Sequence, residues 1–113
     1  MEALFIVVNH EEHFHEILNK FSASGIHGGT IFDTEGLAAT QAASEDSSQL
    51  GLDYLKLFLN DGRPYNKTIL LLLTKEEVET AKSCVREVIG DLQKENVGIM
   101  FSFEVSSFEG LTK

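Results

Sequence analysis

The chain has 113 residues, 42% of them hydrophobic, an ordinary content for one globular domain. Eighteen acidic residues against nine basic ones give a net charge of −9, which repels a polyanion and argues against nucleic acid as a partner. Cys84 is the one cysteine, so the sequence offers neither an internal disulfide nor a multi-thiolate metal site. The longest apolar run, Ile69 to Leu73, is far too short for a membrane span, and acidic Glu2 stands where a secretory leader would carry positive charge. The expected compartment is the cytoplasm, with docking on a membrane protein as a compatible role.

From Ala3 to Val8 the chain is apolar and rich in strand formers, which predicts a first strand. Asn9 is then the expected helix N-cap, with Glu12 completing a capping box and Glu11 beside the positive end of the dipole. The helix is expected from His10 to Ala23. Phe14, Ile17, Leu18 and Phe21 fall on one face of it, and Gly25 supplies the left-handed stop. A second strand follows from Thr30 to Thr34.

Residues 35–66 make an unusually long connection. Its first part, residues 37–48, is small and polar, with too little apolar surface to offset ordering, and is expected to be mobile. Its second part, from Leu50 to Leu59, is hydrophobic and expected to pack as a short helix or strand before the turn at Asn60 to Pro64. Tyr54, Phe58, Arg63 and Tyr65 are residue types enriched in interface anchors, which makes them the candidate partner-binding residues.

The pattern then repeats. Thr68 to Leu73 reads as a third strand, and Thr74 with Glu77 as a capping box. Val78, Ala81, Val85, Val88, Ile89 and Leu92 form the apolar stripe of a second helix, and Ile99, Phe101, Phe103 and Val105 alternate with polar neighbours in a fourth strand. Two βαβ halves in one domain predict an α+β, ferredoxin-like βαββαβ fold, with an antiparallel sheet of order 4-1-3-2 and both helices on one face. Strands one and three are apolar on both faces and suit the centre; strands two and four suit the edges. The helix-free face is then too apolar to leave in water, and a second subunit is its simplest cover.

The run from Ala3 to Val8, the turn Gly25-Ile26-His27-Gly28-Gly29-Thr30, the strand end Thr34-Glu35-Gly36 and the terminus Gly98-Ile99-Met100-Phe101-Ser102-Phe103-Glu104-Val105 occur in an order that resembles the PII signalling proteins. The resemblance covers nearly the whole chain outside the long loop. It implies a homotrimer with sheets facing inward, an adenine nucleotide or other small effector between subunits, and a T-loop, here residues 35–66, that contacts a regulated transporter or metabolic enzyme. The ligand-binding positions it implies are Thr30, Gly36, Leu37 and Gly98, with a regulatory and not a catalytic role.

The sequence departs from that family at the phosphates. Leu37-Ala38-Ala39-Thr40 follows Gly36 where the family has a second glycine, an arginine and a metal-bridging glutamine. Ile99 replaces the lysine after Gly98, and residues 106–113 lack the arginine pair. A triphosphate needs such cations, a metal or a helix N-terminus, so the residues do not specify the cofactor. Two other readings stay open: an enzyme of the dimeric α+β barrel type with a histidine base, and a metal-binding trimer similar to CutA proteins. The second would use His10, His13 and His15, although at helical spacing only His10 and His13 share a face, so no metal ligands are assigned. His27 adjoins the ligand turn, while Cys84 is expected in the core.

Overall fold

The computed structural model describes residues 1–45, 65–94 and 98–111. Its elements are β1 (Glu2–Val8), α1 (Glu11–Ala23), β2 (Thr30–Asp33), α2 (Leu37–Glu45), β3 (Lys67–Leu73), α3 (Lys75–Ile89) and β4 (Gly98–Glu104). The strands form one antiparallel sheet in the order β2-β3-β1-β4, the ferredoxin-like arrangement expected from the two halves. The stretch from Leu50 to Leu59, with Tyr54 and Phe58, lies outside the described residues, as does Arg63.

Alternation along the strands divides the sheet into two unlike faces. Leu4, Ile6 and Val8 of β1, with Ile69, Leu71 and Leu73 of β3, point to the helices and are buried. Phe14, Ile17 and Phe21 of α1 and Val78, Ala81, Cys84 and Val85 of α3 close over them as one core. On the other face Phe5 stacks on Phe101 with ring centroids 5.0 Å apart, and on Phe103 at 5.9 Å. Ile99, Phe101, Phe103 and Phe32 on that face remain 43–55% exposed. Among the described residues no helix covers it.

The ends of α1 and α3 follow local chemistry at three of four places. Thr74 caps α3 with the full box: its Oγ1 accepts the Glu77 amide at 3.2 Å, and Glu77 Oε1 accepts the Thr74 amide at 3.0 Å. Gly90 then ends α3 at a φ of +80°. α1 ends in a paired turn in which the Gly25 amide donates to Ser22 O at 3.2 Å and the Ile26 amide to Phe21 O at 2.8 Å, with Ile26 and Phe21 both in the core.

The start of α1 differs from expectation. Its N-cap is His10, whose side chain makes no cap bond, and the Asn9 amide oxygen instead accepts from Asn66 Nδ2 at 3.1 Å. A tertiary partner has outcompeted the local cap. Residues 37–45 also differ, because they form the helix α2 where coil is expected from their low apolar content. Ala38, Ala39, Ala42 and Ala43 give the segment high intrinsic helix propensity, which needs no burial to act. The first turn closes through the Thr40 amide and hydroxyl, which donate to Gly36 O at 3.0 and 2.9 Å. Leu37 stays 74% exposed, and none of the described α2 side chains joins the core.

Candidate functional site

One end of the sheet gathers the two candidate glycines. The register runs Asp33, Lys67, Val8, Gly98 in a row across β2, β3, β1 and β4. Gly36 lies just beyond this row on the β2 side, and Gly98 begins the opposite edge strand. Three strand spacings, roughly 14 Å, separate those edges. Gly98 must be glycine: its φ is +138°, and a Cβ there would collide with the Val7 carbonyl oxygen. It borders a cleft of about 640 Å³ with Arg86, Asp91, Gln93 and Met100. Arg86 makes no side-chain ion pair among the described residues.

Thr30 sits elsewhere. It opens β2, three residues or about 10 Å from Asp33 along the strand, and lines a cavity of about 550 Å³. His27, Gly28 and Gly29 form one wall of that cavity, and Leu70, Leu72 and Leu111 contribute apolar surface. Gly29 there allows close packing, since a Cβ would stand 2.5 Å from Leu71 Cδ2 and 3.2 Å from Leu70 O. Within the single chain, then, Thr30 and Gly98 border different cavities. Gly36 and Leu37 stand at the start of α2, with Leu37 projecting outward.

At the glycine end of the sheet, just beyond Asp33, Lys67 and Val8, lies a hydrogen-bonded row that composition does not reveal. Thr34 Oγ1 donates to Asn66 Oδ1 and lies 2.9 Å from Thr68 Oγ1, and Asn66 Nδ2 reaches Asn9. Thr34 has one hydroxyl proton, and Asn66 takes it, so Thr68 is the donor to Thr34. Thr68 is the one buried polar residue among those described, at 7% exposure. By strand parity it shares the helix-free face with Leu70 and Leu72, so this row ends the apolar patch. Lys67 points to the helix side, where it donates to Asp33 and lies 5.9 Å from the Phe14 ring centroid.

The bond to Asp33 holds the Lys67 pKa above the ordinary lysine value. Burial raises that of Tyr65, with nearby Lys67 opposing. Tyr65 packs against Phe14 with ring centroids 6.2 Å apart, so part of its ring serves this fold. His10 meets His13 at 5.0 Å while His15 turns to Phe14 at 5.6 Å, the division that their spacing predicts. His13 Nδ1 is buried with no hydrogen-bond partner among the described residues. Cys84 is buried beside Ser24 Oγ at 3.4 Å, as expected of a core cysteine.

No family model matches the sequence, and no curated protein does. Among solved structures, the PII protein of Arabidopsis thaliana bound to citrate is similar to this chain, with a TM-score of 0.62 at 14% identity over 93% of this chain and 77% of that one. At such low identity the likeness is one of fold, and the fold of this chain is PII-like.

Proposed function

We propose that this protein is a PII-like regulatory module, a homotrimer that senses a small effector between its subunits and passes the signal through residues 35–66 to a transporter or metabolic enzyme. The observation that carries this reading is the exposed apolar sheet face. Phe5, Phe32, Phe101, Phe103 and Ile99 lie on one side of a sheet whose other side is already covered. A patch of this kind marks an interaction surface. In a PII-like fold the simplest cover is two more copies of the same chain.

The effector positions are Thr30, Gly36, Leu37 and Gly98, brought into shared clefts by neighbouring subunits. One protomer leaves them in separate places, which supports a site built across an interface. The effector is a small anion or an adenine nucleotide; citrate is the ligand of the Arabidopsis protein and a natural probe beside ATP. Tyr54, Phe58, Arg63 and Tyr65 are the anchors for the regulated protein, and the role is one of binding and not of catalysis.

Thermal melting with ATP, ADP and citrate, each with and without magnesium, tests the effector. A ligand at 100 times its dissociation constant stabilises the folded state by about 2.7 kcal/mol. We expect a clear rise in Tm with at least one of the three and a smaller dependence on the γ-phosphate than on the base, because Leu37 and Ile99 replace the phosphate-binding positions. No shift with any of them would overturn the adenine and carboxylate reading.

A further inference from the structure

The base of the long segment is tied through one side chain. Asn66 meets Thr34 twice, accepting its amide at the backbone carbonyl at 3.1 Å and its hydroxyl at Oδ1. Its Nδ2 donates to Asn9 Oδ1 on the far side, at the end of β1. The same Nδ2 stands 3.9 Å from where a Cβ on Gly36 would be. Asn9 follows Val8, the residue that pairs with Gly98. Asn66 thus stands beside Gly36 and is hydrogen-bonded to Thr34 and to Asn9, at the end of the strand that places Gly98.

We propose that Asn66 is the positioning residue of the effector cleft, fixing the backbone at Gly36 relative to β1, the strand whose pairing with β4 places the Gly98 that this chain presents to a neighbouring cleft. The proposal rests on the effector reading above. Asparagine suits the place because it donates and accepts from one short, stiff side chain. Leucine has a similar shape but neither function. Aspartate accepts from Thr34 and, with the Asn9 amide turned, accepts from Asn9 as well. The row has a single direction, Thr68 to Thr34 to Asn66, so each bond polarises the next. Losing its centre leaves Thr34 and Asn9 partly buried without their partner.

Amide hydrogen exchange on the full chain tests this with Asn66→Leu and Asn66→Asp, alongside titrations with ATP and with citrate. Asn66→Leu, which removes two side-chain hydrogen bonds, should speed exchange at the Thr34 and Thr40 amides by at least about tenfold, while the β1 core amides of Leu4 and Ile6 keep their wild-type rates. Asn66→Asp should restore wild-type exchange. Thr34→Val, which keeps the shape and removes the hydroxyl's bonds to Asn66 and Thr68, should loosen the same amides if Asn66→Leu fails to fold. Wild-type protection of Thr34 in the Leu or Val variant would overturn the proposal, as would an Asp variant that exchanges like Leu. In the titrations, Asn66→Leu should bind the wild-type ligand at least about tenfold more weakly, with the Asp variant rescuing it. Unchanged affinity would overturn the positioning role while supporting the effector reading. No uptake of ATP or citrate by wild type, with the exchange contrast intact, would overturn that reading while supporting the hold of Asn66 on Gly36.

Discussion

Along β1, neighbouring residues of similar apolar character meet opposite fates. Leu4, Ile6 and Val8 are fully buried beneath α1 and α3, whereas Phe5 and Val7 on the other side are only partly covered, with β3 and β4 alongside them. The strand is the same and the hydrophobicity is comparable; what differs is whether this chain supplies a second layer. On the helix side it does, and the core is complete. On the aromatic side the described residues supply none, and three phenylalanines stack across two strands with no layer over them among those residues. Burial therefore reports the layers a chain brings with it, while a contiguous apolar patch left outside them marks a surface suited to interaction.

The sharpest way to break this comparison is to damage each face in turn. Ile6→Ala on the covered face should cost about 2–5 kcal/mol, since it removes a fully buried side chain from a close-packed core; urea denaturation measures it. Phe101→Glu on the aromatic face should instead leave the protomer folded and abolish assembly, because a carboxylate cannot be buried unpaired against Phe5. Sedimentation reports the mass and circular dichroism the fold. A Phe101→Glu protein that still assembles would show that this face is not the contact surface.

A smaller effect separates the two helices that form the cover. Thr74→Ala should lower stability by about 1 kcal/mol by removing the capping box of α3. His10→Ala at the start of α1 should cost less, because His10 makes no side-chain cap bond there. Equal losses in thermal melts would contradict the contrast. The smallest effect is alkaline. The raised pKa values of Lys67 and Tyr65 both mean that the folded state holds its proton more tightly than the unfolded chain. Their contribution is present below the unfolded pKa values and fades as pH rises past about 10 through the folded ones. A Lys67→Met protein should show a shallower loss of stability across that range.

Much of the fold is legible in the residues because it depends on short-range periodicity. The stripes of α1 and α3, the double apolarity of β1 and β3 and the polar alternation of β4 give the strand order without tertiary information. The capping of α1 was not legible. Asn9 has the local chemistry of a cap, but its partner is Asn66, 57 positions away and adjacent only once β1 and β3 pair. α2 escaped for a different reason: its alanines favour helix by intrinsic propensity, which needs no burial, so an argument from apolar surface alone misses it. The candidate site was legible only as separate glycines and a threonine. The row of Thr68, Thr34, Asn66 and Asn9 at the glycine end of the sheet depends on the register of three strands, which no spacing within the sequence encodes.

The most direct test of the account is the mass of the wild-type protein in solution, by native mass spectrometry with light scattering after gel filtration. An aromatic sheet face covered by copies of the chain predicts three subunits of 12.5 kDa each, and any co-purified effector adds its own mass to the trimer. A stable dimer would move the protein to the two-sheet barrel arrangement, and a well-behaved monomer would contradict the claim that this face is an interface between subunits.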